Sequence, residues 1–209
     1  MKRILCFGDS NTWGFRAEDE NRFPDDVRWT GILKKNLPGC TVIEEGLNGR
    51  TAVLDDPVAE HMSGLKYLVP CMASQAPLDL IILMLGTNDL KHRFSLNAAD
   101  IARSNETLVK TIKRYAESPA LKILLVCPPP LGDNMKNSPF GGYFDETSVK
   151  VSKEMAGPMK KVADAYGCGF LNAGTCSEVS TFDSTHLTAK GHAMLGEAVT
   201  KKVKEMLEI

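Results

Sequence analysis

The chain has 209 residues, 43% of them hydrophobic and 24% charged, with 25 Lys and Arg against 26 Asp and Glu for a formal net charge of −1. Such a balance excludes a disordered or membrane-spanning chain, and it provides no basic surface for nucleic acid or anionic lipid. The expected partner is therefore a small molecule, with no nucleic acid and no membrane, and the length suits one α/β domain over residues 1–209. The cysteines Cys6, Cys40, Cys71, Cys127, Cys168 and Cys176 are scattered, with no C-x-x-C and no metal-ligand spacing. They read as reduced thiols of a cytoplasmic protein and supply no ligand set for a metal.

In chain order, Arg3 to Phe7 is a short apolar run closed by Gly8, too short for a signal-peptide core and suited to a buried strand. A helix is predicted over Arg28 to Leu37, then a β-branched strand from Cys40 to Glu44. The helical pattern from Met62 to Gln75 contains Pro70, which predicts an interruption or kink. Leu80 to Leu85 is wholly apolar and ends at Gly86, a third strand. The next helix runs from Ala98 to Glu117, and a fourth strand, Leu121 to Cys127, stops at Pro128-Pro129-Pro130. After the long segment Leu131 to Thr147 come a helix from Ser148 to Tyr166, with Pro158 inside it making its start soft, and a short strand from Gly169 to Asn172. Thr188 to Met206 closes the pattern with one apolar face. Alternation of this kind implies a parallel sheet with helices on both faces, whose ligands bind beyond the carboxyl ends of the strands.

The residues at those strand ends carry chemistry. Ser10, in Gly8-Asp9-Ser10, is by itself as well suited to cap a helix as to act as a nucleophile. A nucleophilic serine needs a base held by an acid, and of the four histidines His186 has a carboxylate, Asp183, three residues before it on a turn just ahead of the last helix. That pair is equally compatible with a cap on the last helix. His61, His92 and His192 suit solvated or packing roles. Asn88, in Gly86-Thr87-Asn88-Asp89, offers a neutral amide donor for a developing oxyanion, and Gly49 is either a turn glycine or a place where a backbone N–H approaches the same charge. Trp13, Phe15 and Trp29 suit an acyl pocket or a core. The 131–147 segment suits a pocket wall or a contact between subunits.

Taken together, Gly8-Asp9-Ser10, Gly49, Gly86-x-Asn88-Asp89 and Asp183-x-x-His186 resemble, in order, the four blocks of the GDSL/SGNH hydrolase family. The stretches Lys2 to Ser10, Asp26 to Gly31, Val42 to Leu47 and Met84 to Asp89 are similar to its arylesterase and acyltransferase branch. The resemblance implies a three-layer α/β/α, flavodoxin-like fold with a five-stranded parallel sheet. It assigns Ser10 as nucleophile, His186 as base and Asp183 as its orienter, with the Ser10 N–H, Gly49 N–H and Asn88 side chain as oxyanion donors. Asn11, Trp13, Phe15 and Thr87 are the expected substrate contacts. The implied reaction is hydrolysis of a short-chain acetyl or aryl ester, with acyl transfer to alcohols alongside it, no cofactor, no metal, and a homo-oligomeric protein. Two rivals are a carbohydrate O-deacetylase using the same residues and a flavodoxin-like protein that cradles a phosphate or nucleotide on Gly8 to Gly14.

Overall fold

The computed structural model describes residues 1–209, and its five strands are β1 (Lys2–Gly8), β2 (Cys40–Gly46), β3 (Leu80–Met84), β4 (Lys122–Cys127) and β5 (Gly169–Asn172). All neighbouring pairs are parallel, in the order β2-β1-β3-β4-β5. The chain thus moves outward from β1 to β2, then returns past β1 to build the rest of the sheet. This is the doubly wound, flavodoxin-like order, with its switch point between β1 and β3.

Side chains alternate across each strand, so every central strand serves two cores. On one face Leu5, Phe7, Ile81, Leu83, Ile123 and Leu125 pack beneath α3 (Gly64–Gln75), α4 (Ala98–Tyr115), α5 (Glu146–Glu154) and α6 (Ala156–Ala165). On the other, Ile4, Cys6, Leu80, Ile82, Leu124 and Val126 pack beneath α2 (Trp29–Asn36) and α7 (Ala189–Leu207). Burial on both faces explains why β3, Leu-Ile-Ile-Leu-Met, reads as an unbroken apolar run. Four residues after β1 form the single-turn helix α1 (Ser10–Trp13). It lies so close to β2 that a methyl group on Gly46 would come within 2.2 Å of the Trp13 backbone nitrogen.

Two prolines act differently from one another. Pro70 sits inside α3 without ending it, on an exposed face where the carbonyl left free at Lys66 meets solvent. The single helix expected from Ser148 to Tyr166 is instead two, α5 and α6, meeting at Met155. Pro158 has no N–H to give the Glu154 carbonyl, and the missing bond falls at that junction; in the first turn of α6 it costs nothing. His192 has the packing role expected of it. Fully buried on α7, it accepts a hydrogen bond from the Trp29 N–H at 3.3 Å and so ties α7 to the start of α2. Burial, followed by the charge of Arg28, pushes its pKa down to about 3 and keeps it neutral.

Two carboxylates are buried at the carboxyl ends of β1 and β3. Asp9 caps α1 by accepting from the Asn11 N–H at 3.0 Å, and Asp89 accepts from the Ala52 N–H at 2.9 and 3.2 Å. Burial raises the pKa of Asp9 to about 6, and burial together with the Asp9 charge raises that of Asp89 to about 7. A carboxyl group whose pKa is raised on folding binds its proton more tightly in the folded chain. Its contribution to stability is complete below the unfolded value of about 4 and is lost as pH climbs through the folded value. Asp89→Asn keeps an oxygen for Ala52 but cannot ionise. Its melting temperature relative to wild type is therefore expected to rise between about pH 5 and about pH 8 in scanning calorimetry. A difference that is flat or falls over that range would show Asp89 to be ionised throughout.

Candidate active site

The switch point between β1 and β3 supplies the first half of the site. Ser10 is the first residue of α1, and the cap is Asp9 rather than the serine. The Ser10 hydroxyl is therefore free of capping duty. Gly14 ends the turn in the left-handed region, at φ 91°, and donates its N–H to the Ser10 carbonyl at 2.8 Å. The backbone around the hydroxyl is fixed on both sides.

The second half arrives from the far end of the chain. Asp183 and Ser184 do not cap α7, since Thr188 does so by accepting from the Gly191 N–H at 2.9 Å. Instead, Ser184 takes a left-handed conformation, φ 59°, which folds Asp183 back over the next residues. Asp183 Oδ1 accepts from the N–H groups of Thr185 and His186 at 2.9 and 3.0 Å, and Oδ2 lies 2.6 Å from His186 Nδ1. A carboxylate only accepts, so Nδ1 carries the proton in the neutral ring and Nε2 keeps a lone pair. Nε2 is 2.8 Å from Ser10 Oγ, across 176 residues of sequence. Asp183, His186 and Ser10 are all buried, at 0%, 5% and 5% exposure, so the chain of hydrogen bonds is shielded from water.

Asn11 is what brings the two halves into register. Its Oδ1 accepts from the Leu187 N–H at 2.9 Å and its Nδ2 donates to the Thr185 carbonyl at 3.3 Å, while its own carbonyl accepts from Trp29 Nε1 at 3.1 Å. The expectation that Asn11 touches substrate is thus corrected, because both polar atoms of its buried side chain are spent on the histidine loop. Thr87 is also buried, near Asp9, and lies off the cavity wall. Trp13 turns away from the cavity, with the Arg22 guanidinium 5.3 Å from its ring centre. Trp29 belongs to the core under α2. Phe15 does line the cavity, its ring 4.3 Å from that of His186.

Asn88 opens a short 3-10 turn after β3, and its Nδ2 is buried with no partner in the protein. Asn88 also lines the cavity, so this amide is free to donate to an oxygen bound there. Gly49 faces the same cavity at φ 85°, a conformation a side chain rarely adopts. Arg50, which sequence reasoning passed over, holds that loop. Its guanidinium donates to the Gly8 carbonyl at 2.8 Å and to the Glu45 carbonyl, and stacks 4.3 Å above the Phe7 ring. Asp89 anchors the other end through Ala52. The adjacency of both residues to Gly49 and Asn88 was the available signal.

The cavity measures about 270 Å³. Phe140, Tyr143 and Phe144 from the 131–147 segment form one wall, and Asp56, Val58 and Ala59 another. The long segment is thus a pocket wall, with Phe140 5.4 Å from the His186 ring. His92 meets the Tyr143 carbonyl at 3.0 Å outside the cavity, and His61 is exposed. No helix is long and apolar enough to cross a membrane.

Residues 6–194 match the model of the GDSL-like lipase/acylhydrolase family. The native aryl esterase of M. smegmatis is 38% identical to this chain, with 99% of this chain and 100% of that one covered at a TM-score of 0.92. A carbohydrate acetylesterase family member from Sinorhizobium meliloti is 35% identical over 100% of both chains, at a TM-score of 0.93. The phosphatidylcholine-sterol acyltransferase of Aeromonas hydrophila is 27% identical over 155 residues, 64% of this chain and 46% of that protein. The chain therefore spans less than half the length of that curated relative. With a match over most of its length and full-length structural likeness to esterases, this chain belongs to the GDSL-like lipase/acylhydrolase family and is a carboxylic ester hydrolase.

Proposed function

We propose that the protein hydrolyses short-chain acyl esters, acetyl and aryl esters foremost, through an acyl-enzyme on Ser10. The observation that carries this reading is the hydrogen-bonded chain from Asp183 through His186 to Ser10 Oγ, with the unpartnered Asn88 amide in the same cavity. As Ser10 Oγ attacks the ester carbonyl, its proton passes to His186 Nε2, and Asp183 faces the imidazolium that results. The carbonyl oxygen becomes an oxyanion that the Ser10 N–H, the Gly49 N–H and Asn88 Nδ2 receive. Collapse expels the alcohol, which takes the proton back from His186. Water, deprotonated by the same imidazole, then releases the acid. An alcohol in place of that water gives acyl transfer by the same steps.

A cavity of about 270 Å³ with aromatic walls favours a small acyl group and a flat leaving group. The likeness to an aryl esterase supports the same choice. The likeness to a carbohydrate acetylesterase favours a second reading, removal of acetyl groups from sugars by the same residues.

Ser10→Ala is expected to lose labelling by a fluorophosphonate probe and to lower hydrolysis of an aryl acetate roughly a thousandfold or more. Near wild-type turnover in a folded Ser10→Ala protein would remove the nucleophile assignment. Asn88→Ala should lower kcat about a hundredfold to a thousandfold with little change in KM, because its contact forms with the transition state. A raised KM at unchanged kcat would instead make Asn88 a ground-state contact. Steady-state rates on aryl acetate, butyrate and octanoate, beside acetylated monosaccharides, decide between the two substrate readings. The first predicts kcat/KM falling with acyl length and exceeding that for any acetylated sugar, and the reverse ranking supports deacetylation.

A further inference from the structure

Asp56, Lys91 and Arg93 form a charged cluster in the wall of the cavity that the mechanism does not use. Lys91 Nζ donates to Asp56 Oδ2 at 2.9 Å and Arg93 donates to Oδ1 at 3.1 Å, while the Val58 N–H also reaches Oδ1 at 3.1 Å. The carboxylate is completely buried, whereas the side chains of Lys91 and Arg93 keep 11% and 18% of their surface open. Two cations on one carboxylate leave a formal positive charge. Lys91 spends one of its three N–H bonds on protein acceptors and Arg93 one of its five. A single cation would suffice to neutralise Asp56 and pin its loop.

The other buried carboxylates near the site offer these donors no acceptor at the cavity surface. Asp9, Asp89 and Asp183 are at most 1% exposed and are held by backbone N–H groups. Around the cluster the lining is apolar or aromatic, with Val58 and Ala59 beside it and the Tyr143 ring 5.4 Å from the Arg93 guanidinium. What a bound molecule meets on this wall is therefore positive charge with unspent donors, in surroundings that weaken screening by water.

We infer that Lys91 and Arg93 form an anion-recognising subsite, so that the preferred esters carry a negatively charged group, a carboxylate or phosphate, on the alcohol portion. This rests on the acyl-enzyme reading above. Charge-assisted bonds from a lysine and an arginine in a partly enclosed site favour an anionic substrate over a neutral isostere by about tenfold or more.

The test compares kcat/KM for 4-acetoxybenzoate and 4-acetoxyphenyl phosphate with that for neutral 4-acetoxybenzamide, each corrected for its uncatalysed rate. The expected anionic-to-neutral ratio is about tenfold or more in the wild type, falls with added salt, drops towards one in Arg93→Gln and Lys91→Gln, and is kept in Arg93→Lys. Which of the two anions gives the larger ratio identifies the preferred group. A wild-type ratio at or below one for both anions overturns the inference, and needs no variant to fold. A ratio unchanged in both glutamine variants overturns it as well. Failure of the parent reading looks different, because 4-acetoxybenzamide would then be turned over equally well by Ser10→Ala.

Discussion

The pairing of β1 with β3 is the constraint on which the site depends. These strands are adjacent in space with Gly8 opposite Met84, although β2 lies between them in sequence. The residues that follow, α1 after β1 and the 3-10 turn after β3, leave the sheet from neighbouring points. Ser10 and Asn88 therefore face one cleft without any long loop to position them. Both strands are sandwiched between two apolar layers, and their hydrogen bonds are shielded from competing water. A misplacement of about 1 Å can cost about a hundredfold in rate, so a rigid pair of strand ends is the appropriate mounting for such groups.

The histidine loop has no strand of its own at that point and is held by polar contacts instead. Asn11 ties it to α1, the Gly132 N–H donates to the Ser184 carbonyl at 2.8 Å, and Asp183 closes the turn internally. A buried polar network of this kind is stable only when its members are satisfied, since a single orphaned group costs about 1–3 kcal/mol. The consequence is that stability and activity share residues. Asn11 stands at the start of α1, beside the reactive hydroxyl, yet acts by placing His186 and without touching the cavity.

Much of this was legible in the sequence, for identifiable reasons. All five strands and the outer helices were visible because burial on both faces writes apolar runs and burial on one face writes helical spacing. Ser10, Asp183, His186, Gly49 and Asn88 were legible because their short patterns, each ambiguous alone, resemble family blocks when taken in order; the structure brings four of them to one cavity, with Asp183 behind His186. The split of the expected 148–166 helix was missed because Pro158 breaks the ladder only through its partner four residues earlier. Asn11 was misassigned because a short polar side chain beside a nucleophile looks the same in sequence whether it faces ligand or a loop 176 residues away. The Asp56, Lys91 and Arg93 cluster was invisible, because charged residues 35 and 37 apart declare no relation until the fold closes them.

The charge distribution also gives a reason for the proposed oxyanion donors to be neutral. α1 is a single turn, too short to sum peptide dipoles into an appreciable field at Ser10, so stabilisation of a developing oxyanion falls to individual N–H groups and to Asn88. A lysine at position 88 would offer more charge to the oxyanion. It would also repel the imidazolium that must form on His186 in the same step, and would make that ring a weaker base. An amide donates a hydrogen bond without imposing this penalty. The cations of the cavity sit instead beside Asp56, paired to a carboxylate that offsets part of their field. On the proposed reading, the site separates two tasks that one cation at position 88 would set against each other: receiving a transient negative charge at the reacting carbonyl, and presenting positive charge to the remainder of the substrate.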